Sequence, residues 1–282
     1  MVGHLPMKAQ VSKVSPAKNH SLLWKISGNQ MKQPSYLFGT MHMICADDYL
    51  WTPAMKRSLS ATREVCFEMD MDDPMVMMQV AQGMVNINGK ALYEYFSPED
   101  YQAVVNHFSK KLQLDTAMLA RLKPSALMMM MATEGVTCAH TVSYENNIME
   151  AAKELKIDIT GLETPQEQLA LLESIPADTI AGEIARSIKE KGEGSSNEYQ
   201  ALVQAYKQQD LATLFTLMTQ NSKSSLNLNT FIVERNAKWI ERMEERMDQQ
   251  AVFFAVGAGH LWGEKGVIQL LKDKGYTVVP VK

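Results

Sequence analysis

Two Gly-x-x-His tetrapeptides, Gly39-Thr40-Met41-His42 and Gly257-Ala258-Gly259-His260, lie near opposite ends of a 282-residue chain. Two neutral imidazoles and one carboxylate make a suitable ligand set for a divalent first-row metal, with positions left open for water and substrate. Such an ion lowers the pKa of bound water toward ~7 and polarises a carbonyl, so hydrolysis needs no serine or cysteine nucleophile. The chain has no His-Glu-x-x-His, so the ligands must come from segments far apart in sequence. One Gly-x-x-His alone is weak, because most isolated histidines near strand ends are hydrogen-bonded core or surface residues. Its repetition in the same local context carries the reading.

That context is the same at both ends. The apolar runs Tyr36–Phe38 and Ala251–Val256 read as buried strands, each stopped by a glycine that lets the backbone turn. Pro53–Thr62 and Glu264–Lys274 then read as helices, leading into the strands Val65–Met71 and Tyr276–Val281. Twice the pattern is strand, Gly-x-x-His, helix, strand. In open α/β sheets ligands gather outside the carboxyl ends of the strands, so two such units side by side would aim both imidazoles into one crevice.

Carboxylates follow from alternation. In Val65-Cys66-Phe67-Glu68-Met69-Asp70-Met71, Cys66, Glu68 and Asp70 share one face and the apolar residues the other. Alternation by itself suits an edge strand with a solvated polar face; the neighbouring histidine unit makes Glu68 and Asp70 candidates for a site instead. Glu163 follows the strand Ile157–Leu162 and precedes Thr164-Pro165-Gln166-Glu167, which has the spacing of a capping box. Its position suits a site, and equally suits any carboxylate resting near the positive end of a helix.

Between these units the chain is helical in pattern and rich in methionine. Ser97-Pro98-Glu99-Asp100 opens a helix toward Leu112, and Ser143–Lys156 reads as another. Met128–Met131 presents methionine on all sides of a helix, which predicts a fully buried helix. The charged, Gly- and Ser-rich stretch 190–197 reads as a linker. A helix over 230–249 buries Ile232, Trp239, Ile240, Met243 and Met247 on one stripe. With 28 Lys+Arg against 32 Asp+Glu and a net charge of -4, nucleic acid is not an expected partner. No run approaches the roughly 18 apolar residues of a transmembrane helix. Three cysteines, Cys45, Cys66 and Cys138, without a C-x-x-C pair, argue against a disulfide framework and a cysteine zinc site.

Taken in order, several segments resemble the TraB/GumN family, which includes the Tiki membrane proteases. They are Tyr36–His42, Phe67-Glu68-Met69-Asp70 with Asp73-Pro74, Gly161-Leu162-Glu163 with Glu167-Gln168, Glu234-Arg235-Asn236, Phe253–Leu261 with Gly263, and Gly275–Val278. The resemblance implies a divalent-metal-dependent peptidase acting on a peptide or protein, with manganese or cobalt as activators and zinc or iron as alternatives. It implies His42, His260 and Glu68 as the metal set, Asp70 and Glu163 as further acidic site positions, and Arg235 and Asn236 to steady a substrate carboxylate or developing oxyanion.

The implied fold is α+β, a central mixed sheet built from the two related units with a helix-rich, Met-rich middle, akin to the erythromycin-esterase-like and ChaN-like proteins. Residues 1–20 read as a flexible leader and 21–282 as one domain with a helical insertion at about 75–142. An extracytoplasmic location follows by analogy, with a cytoplasmic one also open. Two other functions remain in view: a peptide-sequestering protein without turnover, and a hydrolase of a non-peptide ester.

Overall fold

The computed structural model describes residues 20–282 except 88, 113–114, 132–135, 137, 191–193 and 221–227. The leader expected over 1–20 therefore lies, but for His20, outside the described residues, as does part of the linker expected at 190–197.

The strands are β1 (Leu23–Ser27), β2 (Ser35–Thr40), β3 (Ile44–Cys45), β4 (Glu64–Met69), β5 (Thr141–Val142), β6 (Asp158–Glu163), β7 (Val252–Gly257) and β8 (Thr277–Pro280). Six of them form one mixed sheet in the order β6-β4-β7-β2-β1-β8, and β3 pairs with β5 in a separate ribbon. β4 is parallel to β6 and β7, and β2 is parallel to β7, while β1 runs antiparallel to β2 and β8.

Topology places the two glycine turns together. β2 and β7 are adjacent, with Thr40 in register with Gly257. From β2 the chain crosses over β7 to β4 through the helix Pro53–Ser60, and from β7 it crosses over β2 and β1 to β8 through the helix Val267–Asp273. The crossovers leave in opposite directions, and right-handed connections then put the two helices on opposite faces of the sheet. Pro53–Ser60 packs with the helix Tyr144–Leu155, and Val267–Asp273 with the helix Leu228–Gln249. The carboxyl ends of β2 and β7 are thus a point where strand order reverses, the place where such sheets open a crevice.

Fully buried Phe38, Phe67, Phe253, Phe254 and Trp239 fill the core around the sheet. The middle helices Pro98–Leu112, Pro124–Met131 and Ala177–Glu190 bury a second cluster, including Val104, Phe108, Leu127 and Ile184. Three expectations are corrected. The four methionines 128–131 are not fully buried: Ala126 and Leu127 face the second core, while Met129 is 37% exposed. An eight-residue helix packed chiefly against Ala177–Glu190 buries mainly one face, and methionine tolerates the others. The edge strand that alternation by itself suited is likewise excluded for β4, which lies between β6 and β7 with Glu64 to Phe67 all buried. Its polar positions are satisfied from the Leu228–Gln249 helix, where Arg246 pairs with Glu64. Finally, Cys45 and Cys138 form a disulfide, leaving Cys66 as a free, buried thiol whose pKa burial pushes up to about 12. Spacing of 93 residues hid a pair that the β3–β5 ribbon brings together.

Candidate functional site

A cavity of about 310 Å³ opens at the carboxyl ends of β2, β4 and β7. His42, Glu68, Arg235 and His260 line one side of it. Met41, Met43, Leu202, Leu214, Met218 and Ile232 line much of the rest.

The glycines let these loops meet. A Cβ at Gly39 would stand 3.1 Å from Cα and Cβ of Ala258, so a side chain there would push the two turns apart by a few tenths of an ångström. Gly257 donates its N–H to Glu68 Oε1 at 2.8 Å, and a Cβ there would press on the same oxygen at 3.2 Å. Tyr206 donates its hydroxyl to the carbonyl of Gly39 at 2.8 Å, which fixes the end of β2.

His260 is 7% exposed and stacked on Trp239, with ring centroids 4.3 Å apart. Its Nδ1 lies 2.7 Å from Asn236 Oδ1. The Asn236 amide nitrogen donates to the carbonyls of His260 and Lys265 at 3.1 and 2.8 Å, which fixes the orientation of the amide. The oxygen facing His260 therefore only accepts, so Nδ1 carries the proton and Nε2 the lone pair. Burial, partly opposed by Glu68 and reinforced by Arg235, lowers the His260 pKa to about 4 and keeps the ring neutral.

Glu68 and Arg235 form the charged centre. Arg235 Nη2 donates to Glu68 Oε2 at 2.6 Å and to Glu163 Oε2 at 2.8 Å, and Nε reaches both Glu163 oxygens at 3.0 Å. Nη1 lies 3.3 Å from His260 Nε2, which is itself 3.9 Å from Glu68 Oε1. Trp239 donates its indole N–H to Glu163 at 2.8 Å and lies under the guanidinium. Burial pushes the Glu68 carboxyl up, but Arg235 and the two histidines outweigh it and hold it well below the usual range. Arg235 is driven the other way by the same carboxylates, against its own burial.

His42 differs from His260. Its side chain is 70% exposed, and Nδ1 lies 2.9 Å from the buried carboxylate of Glu145. That hydrogen bond raises the His42 pKa to about 9. Burial would raise Glu145, but its contacts with His42 and Thr40 lower it. Nδ1 is committed to Glu145, so Nε2 is the ring nitrogen left for the cavity.

A profile of the TraB/PrgY/gumN family matches residues 22–280. The chain belongs to this family. It is similar to metalloprotease TIKI2 of Danio rerio, 22% identical across 94% of this chain and 62% of that protein. A metalloprotease TIKI homolog of Nematostella vectensis is 22% identical across 95% of this chain and 69% of its own length. TIKI1 of Danio rerio is 21% identical across 92% of this chain and 63% of its own length. The chain thus spans between 62% and 69% of the length of these relatives. No solved structure matches it.

In this TraB/PrgY/gumN chain, four of the residues singled out from sequence, His42, Glu68, Arg235 and His260, share the cavity. Glu163 sits behind Arg235 and Asn236 behind His260, each holding its neighbour. Asp70 does not join them: it lies past the end of β4, accepts a hydrogen bond from the backbone of Asp72 at 3.2 Å, and is not among the cavity's lining residues. Sequence reasoning missed Glu145 altogether. A glutamate in the first turn of a helix capped by Ser143 reads as a dipole-favoured surface residue, and only the fold brings it to His42.

Among the described residues, no three His, Cys, Asp or Glu side chains are gathered as a ready ligand set. The donors nevertheless fit a divalent first-row ion in chemical type. Each imidazole has Nδ1 held by an oxygen, which leaves Nε2 as its ligating nitrogen, the arrangement that outer partners impose on metal-ligating histidines; His42, with its pKa raised to about 9, would give up its Nε2 proton in favour of the ion. A carboxylate lies between them in charge influence, and Glu68, Glu163 and Arg235 together carry one net negative charge.

Proposed function

We propose that this chain is a divalent-metal-dependent peptide hydrolase, with His42, His260 and Glu68 holding the ion. The observation that carries this reading is the pair of Gly-x-x-His imidazoles with anchored Nδ1 atoms on one cavity with Glu68. The metalloprotease names of the TIKI relatives support the same class of activity. Manganese or cobalt is the preferred ion, with zinc or iron as alternatives. When bound, the ion supplies Lewis acidity toward water and a carbonyl.

The chain's own groups do the rest. Asn236 keeps His260 in the tautomer that offers Nε2, and Gly257 and Arg235 keep Glu68 ionised. Arg235 Nη1 is the guanidinium nitrogen nearest the cavity histidine, so a substrate carboxylate or developing oxyanion is best met there. The apolar side of the cavity excludes water and receives a side chain of the peptide. Of Glu68, Asp70 and Glu163, Glu68 alone lines the cavity and is placed to relay a proton; Glu163 is covered by Arg235 and Trp239, which suits a supporting role.

The same reading takes the two strand, Gly-x-x-His, helix, strand stretches as related units of an erythromycin-esterase-like and ChaN-like kind. Their adjacent parallel strands and opposed crossovers support it.

One observation favours a second reading, peptide binding without turnover. Arg235 already pairs with Glu68 and faces His260 Nε2, so both of these candidate ligands have a partner without an ion. Mass-spectrometric analysis of a peptide library, with manganese or cobalt added and with chelator and His260→Ala controls, separates the two. Cleavage lost in both controls is expected. Tight peptide binding, unaffected by chelator and without cleavage under any metal, would instead establish the second reading.

A further inference from the structure

We propose that Glu145 is the positioning residue of the candidate site, holding the exposed His42 ring so that its Nε2 faces the cavity. The proposal goes beyond the metal reading by adding a fourth side chain, and only one of its two tests rests on that reading.

An imidazole whose side chain is 70% exposed has little packing to fix its rotation. What fixes His42 is one hydrogen bond, from Nδ1 to Glu145 Oε1 at 2.9 Å. Glu145 is in turn more heavily supported than an exposed partner requires. It is 5% exposed, receives Thr40 Oγ1 on the same oxygen at 2.6 Å, and receives Ser143 Oγ on Oε2 at 3.1 Å. A buried carboxylate is costly unless satisfied, and these donors come from both flanks of the site. Thr40 is the last residue of β2 and lies inside the first Gly-x-x-His; Ser143 caps the Tyr144–Leu155 helix.

The backbone carries the same registration. Ile44 pairs with Val142 and Cys45 with Thr141, and the Cys45–Cys138 disulfide closes the ribbon. These links fall two and three residues after His42 and three and four before Glu145, so the two side chains are held at a fixed separation from both sides. Asn236 plays the corresponding part for His260, through an amide instead of a carboxylate. The two halves of the cavity are therefore supported by different chemistry, a neutral buried ring held by an amide on one side and an exposed ring held by a buried carboxylate on the other.

The test uses the full chain with Glu145→Ala, Glu145→Gln and His42→Ala. In the metal-free protein, histidine-selective ¹H–¹⁵N spectra read the Nδ1–H of His42, assigned by its loss in His42→Ala. A protected signal is expected in the unsubstituted protein, retained in Glu145→Gln, whose amide oxygen still accepts, and lost in Glu145→Ala. Calorimetric titration with cobalt(II) reads the second consequence: affinity weaker by roughly 10- to 100-fold in Glu145→Ala, with a smaller loss in Glu145→Gln. Circular dichroism melts of the same samples report whether each variant folds, and Glu145→Gln keeps the question answerable if Glu145→Ala does not.

Where cobalt binding is lost in His42→Ala, an affinity in Glu145→Ala equal to that of the unsubstituted protein would overturn the proposal, as would, in any case, an Nδ1–H signal unchanged by the substitution. If the unsubstituted protein shows no His42-dependent cobalt binding but the ring signal behaves as expected, the metal reading falls and the positioning role stands.

Discussion

Arg235 is the cation between two buried carboxylates, and its removal is the most informative single perturbation of this site. In Arg235→Met the hydrogen bonds to Glu163, Glu68 and His260 vanish together, while an apolar side chain fills part of the space. Glu68 and Glu163 are 16% and 4% exposed, so neither can recover full hydration. Breaking a buried pair by deleting one partner costs about 3–5 kcal/mol, because a charge is left uncompensated.

An unfolding entropy of about 2.1 cal/mol/K per residue gives roughly 0.6 kcal/mol/K for a chain of this size, and hence a Tm lower by about 5–9 °C. The same deletion takes the formal charge of the Glu68, Glu163 and Arg235 group from -1 to -2, which a divalent ion would then balance. Added cobalt should therefore restore more of the Tm in Arg235→Met than it adds to the unsubstituted protein. Saturation at 100 times the dissociation constant is worth about 2.7 kcal/mol. Differential scanning fluorimetry with and without cobalt or chelator is the assay. A fall of less than about 2 °C without metal would refute the view of Arg235 as the strut of two buried charges, and equal metal stabilisation in both proteins would refute the charge argument.

Other consequences can be checked on the same preparations. Asn236→Leu strands the His260 Nδ1–H and the carbonyls of His260 and Lys265, so urea denaturation should show a loss of about 2–4 kcal/mol; a change under 0.5 kcal/mol would contradict the anchoring role. Glu167 closes the capping box of the Pro165–Glu173 helix, and its hydrogen bond from Arg242 lowers its pKa to about 2. A carboxyl held down in the folded state stabilises above its ordinary range and loses that contribution as pH falls through the folded value. The deficit of Glu167→Gln, about 1 kcal/mol at pH 7 because the pair is a third exposed, should shrink toward zero between pH 4.5 and about 2. Thermal melts across that range check it, and a pH-independent deficit would count against the ion pair. Cys138→Ser, or a dithiol reductant, should lower stability by about 2–5 kcal/mol, read by the same denaturation; no change on reduction would show that the link does not form.

What the sequence made legible was local. Glycine, an apolar run and a histidine three residues on are neighbours in the chain, so the ends of β2 and β7 could be read directly. The same holds for Thr164 and Glu167, whose capping box needs only four consecutive residues. What was not legible depends on partners that the fold supplies. Alternation alone suited β4 to an edge strand because its polar positions find Arg235 and Arg246 on a helix more than 160 residues away. Glu145 resembled any helix-start carboxylate until the sheet carried Thr40 and His42 to it. Asp70 shares the alternation of Glu68, but the strand ends at Met69, and alternation says nothing past that point. Cys45 and Cys138 carry no spacing signal, since a ribbon of two residue pairs aligns them.

The disulfide also divides the chain into a frame and a closed ring. The cysteines are 93 positions apart, and between them lie β4, with Glu68, and most of the second core. A cut within that ring leaves one covalent molecule, visible as two fragments only after reduction. Lengthening a ring is cheap, about 0.6 kcal/mol for each doubling of a flexible loop. The helices between Asp73 and Cys138 can therefore grow, shrink or be exchanged at little entropic cost, while His42 and Glu145 keep their places at the ring's clasp.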